Sequence, residues 1–197
     1  MRGNIFVITG PSGVGKTTIA TELLKQRSNL KKVVTYTTRP SRPGEIDGVS
    51  YHFVDAVRLT SMLEAGELFE SAHVYDTLYG SKKSDVETIL QSGNDVLFVI
   101  DVQGAKTIKE KNTEVVVIFI EAESLEALMK RLEGRDHGKT VNLEERRNAI
   151  TKELTFGETC EFRVVNQEGN IQGSVQEILD RADQLALELV APRDCVR

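Results

Sequence analysis

The sequence predicts an α/β fold, a doubly wound parallel sheet covered by helices on both faces. Short continuous apolar runs at residues 5–8, 96–100 and 115–120 have the length and composition of strands buried on both sides. Segments of helical period alternate with them, and a glycine-rich turn joins the first run to the first helix. A chain of 197 residues with 40% hydrophobic content suffices for one well-buried core carrying an inserted lobe. No run approaches membrane-spanning length and no secretory segment is expected after Met1, so the reading is a cytoplasmic protein without a membrane partner. The two cysteines, Cys160 and Cys195, lie outside any C-x-x-C pattern and read as free thiols. A net charge of −5 argues against a nucleic-acid partner. Local clusters at Arg39/Arg42 and at Arg131/Arg135/Arg146/Arg147 suit small anionic ligands instead. No oligomeric state follows from the sequence.

The first run leads into Gly10-Pro11-Ser12-Gly13-Val14-Gly15-Lys16-Thr17, a complete G-x-x-x-x-G-K-[ST] phosphate-binding loop. Its glycines let the backbone curl until successive N–H groups converge at a helix N-terminus, where phosphate oxygens can accept from them. Lys16 supplies a point charge for terminal phosphates, and Thr17 offers a hydroxyl to a magnesium ion bridging them. Ile19, Ala20, Leu23 and Leu24 then recur on one helical face, the strand–loop–helix setting that the motif requires. The loop implies a nucleoside triphosphate.

Residues 32–36 read as a short β segment entering a polar loop, Thr37 to Gly48, which can aim Arg39 and Arg42 at a second phosphate. Solvated arginines in a turn are the plainer alternative. A brief strand is expected over 51–54, then a helix capped by Asp55 and running to Glu64, then an extended segment over 67–74 followed by Tyr79-Gly80-Ser81. Short strands between two α/β units suggest a small inserted lobe. Asp101 ends the run at 96–100, at the sheet edge where ligands of open α/β sheets sit, and can serve a ligand or cap the helix that starts near Gln103. A helix over 125–132 carries Arg131, with Arg135 one turn on. Gly134, Gly138 and Thr140 are expected to interrupt it before 143–154 resumes with Arg146 and Arg147, a hinged arginine-rich flap. A last strand over 162–165 ends at Asn166. A C-terminal helix over 171–189 directs Val175, Ile178, Leu179, Ala182 and Leu185 to the core, and the tail from Ala191 is expected to fray.

Thr37-Thr38-Arg39, Arg42, Glu45, Gly48, Tyr51 and Phe53 match without a gap the signature spacing of the guanylate kinases, and the chain resembles that family over nearly its whole length. The resemblance implies a P-loop nucleotide kinase with a parallel-sheet core (1–34, 83–125 and 155–190), a GMP-binding β lobe (35–82), a helical lid (126–154) and a tail (191–197). It implies transfer of the γ-phosphoryl of ATP to GMP, with dGMP as a further acceptor and Mg²⁺ as cofactor. Arg39, Arg42, Tyr51 and Tyr79 would then hold the GMP phosphate, and Thr35, Glu70, Ser81 and Asp101 would surround or read the guanine. The loop from Gly10 to Thr17 would bind ATP together with Arg131, Arg135 and Asn166. Lys16, Arg39, Arg135 and Arg146 would be catalytic, and Asp101 would join Thr17 at the metal through water. One position departs from the family pattern: relatives usually carry Asp or Glu where this chain has Val99. Thr35, where relatives often have Ser, keeps the hydroxyl. A GTP-hydrolysing switch fits less well, because no N-K-x-D follows Asp101-Val102-Gln103-Gly104. A binding-only module would lack the loop lysine and the lid arginines.

Overall fold

The computed structural model describes residues 3–74, 76–112, 114–135 and 143–190. Strand β1 (Ile5–Thr9) is buried at every position. It enters the glycine loop, from which helix α1 (Lys16–Gln26) departs. The chain continues through β2 (Leu30–Lys32), β3 (Tyr36–Thr37), β4 (His52–Phe53), α2 (Ala56–Glu64), β5 (Leu68–Val74) and β6 (Thr77–Lys82). It then forms α3 (Lys83–Gln91), β7 (Asp95–Val99), α4 (Val102–Lys111), β8 (Val115–Ala122), α5 (Leu125–Arg135), α6 (Leu143–Glu158), β9 (Phe162–Asn166) and α7 (Ile171–Val190).

These strands form two sheets. One is five-stranded and parallel in the order β2-β7-β1-β8-β9, and the other is four-stranded in the order β4-β3-β6-β5. In the parallel sheet, side chains alternate between two apolar layers, as strand geometry dictates. Phe6, Ile8, Leu97, Ile118 and Ile120 face α1, α5 and α7 through Ile19, Leu23, Leu128, Leu132, Val175 and Ile178. Val7, Val96, Phe98, Val117 and Phe119 face α3 and α4 through Val86, Leu90, Ala105 and Ile108. Each fully buried Leu, Ile or Phe contributes about 1.5–3 kcal/mol. This two-faced burial is why the central strands read as unbroken apolar runs. The smaller sheet packs α2 over Leu59, Met62, Leu68 and Leu78.

Several local expectations need correction. The β segment expected over 32–36 is split: Lys32 ends β2 in the parallel sheet, whereas Tyr36 begins β3 in the other. The apolar Val33 is buried and its amide still donates to the Leu97 carbonyl of β7 at 3.0 Å, whereas the Thr35 carbonyl already accepts from the His52 amide of β4, so the chain changes sheets between the two. Helix α2 has the expected Asp55 cap, which accepts from the Arg58 amide at 2.7 Å; Val57 and Leu63 on it are exposed. Gly134 does not interrupt α5, which continues to Arg135. Helix α6 runs on past residue 154 to Glu158, across the expected end of the lid. Gly138, Thr140, Cys195 and the tail lie outside the described residues, as do the side chains of Arg135 and Arg146.

Candidate active site

The first half of the site is the glycine loop. Gly10, Gly13 and Gly15 have φ of 139°, 82° and 99°, a region that side chains disfavour. All three also lie against neighbours closer than 3 Å to a β-carbon, Gly13 against the tip of the Leu132 side chain at 2.7 Å. A β-carbon on Gly10 would sit 2.3 Å from the Ile120 carbonyl oxygen, and one on Gly15 would sit 2.4 Å from Asn166 Nδ2. Asn166, at the end of β9, donates from Nδ2 to the Val14 carbonyl at 2.8 Å and thereby braces the loop from below. Its Oδ1 is buried without a hydrogen-bond partner among the described residues, as is Thr9 Oγ1.

Helix α1 follows Gly15, which offers no side-chain cap, and has no acid in its first turn, whereas α2 and α4 are capped by Asp55 and Asp101. An uncapped N-terminus leaves amide donors and positive dipole for an anion. Lys16 Nζ folds back on the carbonyls of Gly10 and Pro11 at 2.6 and 2.9 Å. Thr17 is exposed on the first turn. Arg131 donates to the Asn166 carbonyl at 3.2 Å and to Glu123 Oε1 at 3.3 Å, which places its guanidinium beside the strand end that supports the loop.

The second half lies on the smaller sheet. The Arg39 guanidinium forks onto Glu45, with Nη1 2.6 Å from Oε2 and Nη2 2.5 Å from Oε1, and lies 4.8 Å from the Tyr51 ring centroid and 5.6 Å from that of Phe53. Glu45 also accepts the Arg42 amide at 2.7 Å. The Arg39 bonds hold the Glu45 carboxyl below its ordinary range. Tyr51 and Tyr79 meet edge to face at 6.1 Å, and burial raises the Tyr51 phenol. The Arg42 side chain is exposed at the rim.

Behind this cluster sits a buried polar chain. Thr35 Oγ1 and Ser81 Oγ are 3.4 Å apart, and Ser81 Oγ donates to Glu70 Oε1 at 2.7 Å. A register irregularity between Leu68 and Glu70 sets the acid opposite Ser81, the kind of re-aiming that bulges perform beside active sites. Burial pushes the Glu70 carboxyl up to about 7; the Ser81 hydrogen bond opposes this and Asp101 adds to it. Asp101 Oδ1 accepts the Gly104 amide at 2.8 Å, so the cap role is real, and burial raises its carboxyl too. Gly104 separates the two acids at close range: a β-carbon there would lie 3.0 Å from Glu70 Oε2 and 3.4 Å from Asp101 Oδ1.

A residue that sequence reasoning missed completes the picture. Glu153 on α6 brings a half-buried carboxylate to the Ser12 amide, near Lys16 and Asp101; burial raises it, while Lys16 and the Ser12 amide pull it down. Nothing local to residues 143–154 marks it, because only the return of α6 to the loop creates the contact. Val99 pairs with Ile8 and packs partly against the apolar layer, so the strand end presents no acid there.

The guanylate kinase family profile matches residues 2–184. The chain belongs to the guanylate kinase family. It is 39% identical to guanylate kinase of Clostridioides difficile (strain 630) over 177 residues, 90% of this chain and 85% of that protein. It is 40% identical to guanylate kinase of Rhodopseudomonas palustris (strain HaA2) over 189 residues, 95% of this chain and 86% of that one. The crystal structure of guanylate kinase from Anaplasma phagocytophilum superposes with a TM-score of 0.76 at 31% identity, covering 97% of this chain and 88% of that chain. The fold is that of a guanylate kinase, and the chain is a nucleoside monophosphate kinase, an ATP:GMP phosphotransferase.

Proposed function

We propose that the glycine loop holds ATP, that the Arg39/Arg42/Tyr51/Tyr79 cluster holds the phosphate of GMP, and that Glu70, Ser81, Thr35 and Asp101 read its guanine. The observation that carries this reading is the fork of Arg39 on Glu45: a guanidinium already set for bidentate binding of an oxyanion, at a site separate from the uncapped N-terminus of α1. Phosphoryl transfer asks little covalent chemistry of the protein; it needs two anionic substrates in line while cations offset their repulsion. Lys16 serves the donor phosphates, Arg39 and Arg42 the acceptor phosphate, and Arg131, Arg135 and Arg146 the lid that excludes water, which would otherwise take the phosphoryl group.

Guanine presents N1–H and the 2-amino group as adjacent donors, and an ionised Glu70 accepts both. Adenine would meet that carboxylate with a lone pair. The donor types suit Mg²⁺: Thr17 would offer a hard hydroxyl oxygen, and Asp101 a carboxylate that would act through water. When bound with ATP, the ion neutralises phosphate charge. Among the described residues no group of three or more His, Cys, Asp or Glu side chains gathers as a metal site. No helix among the described residues is long and apolar enough to cross a membrane; cytoplasmic ATP and GMP, with dGMP beside GMP, are the substrates of this reading.

The test is kcat/KM for GMP, AMP, CMP and UMP in the parent and in Glu70→Ala. GMP is expected to lead by orders of magnitude, up to about 10⁴-fold, and the variant to lose most of that lead through weaker use of GMP. Comparable AMP and GMP values in the parent would sink the guanine assignment.

A further inference from the structure

Lys32 occupies a position that its place in the sheet does not explain. It ends β2, an edge strand, where lysines ordinarily point to water and discourage edge pairing. Its neighbour Lys31 does that, exposed and bonded locally to the Ser28 carbonyl at 2.9 Å. Lys32 instead reaches from the parallel sheet toward the loop before β4. Its Nζ donates to the Ser50 carbonyl at 3.3 Å and stands 5.9 Å from the centroid of the Tyr51 ring, the ring on which Arg39 also lies. Burial lowers the Lys32 ammonium from its ordinary value, and the charge of Glu45 partly offsets this. A half-buried ammonium is costly unless a nearby negative group repays it. Here the negative groups on offer are Glu45 and the acceptor's phosphate.

We infer that Lys32 is a further positioning residue of the acceptor site, its charge acting through Tyr51 and Glu45 to favour a nucleoside monophosphate carrying a dianionic phosphate. The inference rests on the reading that Arg39, Arg42, Tyr51 and Tyr79 hold that phosphate. Glu45 occupies the fork of Arg39. An arriving phosphate competes for the same N–H groups, and as Glu45 loses part of its hold, the Lys32 ammonium stabilises the carboxylate left behind. The effect belongs to acceptor binding and not to the donor loop.

Three substitutions separate charge from tether. Lys32→Gln removes the charge and keeps an N–H donor for the Ser50 carbonyl, Lys32→Met removes both, and Lys32→Arg keeps both. KM for GMP is expected to rise about fivefold in Gln and Met, with kcat and KM for ATP within about twofold of the parent and Arg near the parent value. The Gln and Met penalties should shrink as salt rises from about 0.05 to 0.5 M, since screening weakens the parent's advantage. A Gln variant indistinguishable from the parent, a penalty independent of salt, or equal losses toward ATP and GMP would overturn the inference. Arg39→Ala run in parallel tests the underlying reading: if its KM for GMP is unchanged, the phosphate site has been misassigned, whereas a large rise there beside a neutral Lys32→Gln overturns only the role of Lys32.

Discussion

Glu70 and Lys16 illustrate how single side chains take their function from what surrounds them. The Glu70 carboxyl is buried and lifted from 4.5 to about 7, so it holds a proton through the range where free carboxylates have lost theirs. Because the folded value lies above the unfolded one, Glu70 contributes stability that is full below about 4.5 and lost as pH rises through about 7. Acceptor binding runs the other way. In the proposed reading of guanine by Glu70, GMP requires the ionised form, so affinity should climb up to about tenfold per pH unit below 7 and level off above it. Calorimetric titration of GMP from pH 5.5 to 8.5 checks this against Glu70→Gln, in which only the phosphate's own ionisation remains. Identical pH profiles would remove Glu70 from the base site. Lys16→Ala should cut turnover by about 10²–10³-fold or more while leaving GMP affinity within about twofold, because the acceptor cluster is built from other residues. GMP affinity lost in proportion to turnover would count against that division.

Among the elements, the glycine loop is the most constrained. Gly10 combines positive φ with a backbone neighbour, the Ile120 carbonyl, that cannot swing aside as a side chain could. Gly10→Ala must therefore shift β1 or β8, and a cost of about 2–4 kcal/mol is expected. For a chain of this size that corresponds to a fall in Tm on the order of 5–15 °C. Gly44→Ala is the control: its φ is also positive, but nothing lies within 4 Å of a β-carbon there, so only the smaller backbone penalty applies. Equal Tm losses at the two positions would mean that the close approach of β8 to the loop is unimportant.

At the scale of the whole molecule, stability and chemistry sit at opposite ends of the parallel sheet. Asp95, at the start of β7, accepts from the Asn4 amide at 2.8 Å, from Asn29 Nδ2 at 3.0 Å and from Arg27 Nη2 at 2.5 Å, tying β1, α1, β2 and β7 together. Arg27 passes on to Asp183 of α7 at 2.7 Å and stacks 5.0 Å from the Phe6 ring. Breaking a buried pair from one side costs about 3–5 kcal/mol, and Asp183 reduces that here by keeping a partner for Arg27. Asp95→Ala should lose about 2–3 kcal/mol in urea unfolding while kcat/KM for GMP at 25 °C stays within about twofold of the parent. A large kinetic loss in folded protein would contradict the separation of the two ends.

The parallel core was legible because its cause is local: a strand buried on both faces must be apolar throughout, and residues 5–8, 96–100 and 115–120 state this without reference to anything else. The turn from β1 into α1 was legible for the same reason, since the spacing of its glycines is itself the geometry. Asp55 could be named as a cap because capping spans three residues. Residues 32–36 could not be divided correctly, because the change of sheet after Val33 depends on partners near residues 52, 80 and 97 that no local pattern reveals. Apart from the family resemblance nothing local marked Glu70 as buried; only the bulge in β5, Ser81 on the paired strand and Gly104 on a separate helix enclose it. Glu153 and Lys32 left no signal, since each acts on an element far away in the chain. What the sequence determined by itself was everything set by short-range periodicity, backbone sterics and motif spacing. What the tertiary structure alone decided was which charges lose their water and which partners then meet them, because desolvation and electrostatic pairing depend on the packed arrangement of distant segments.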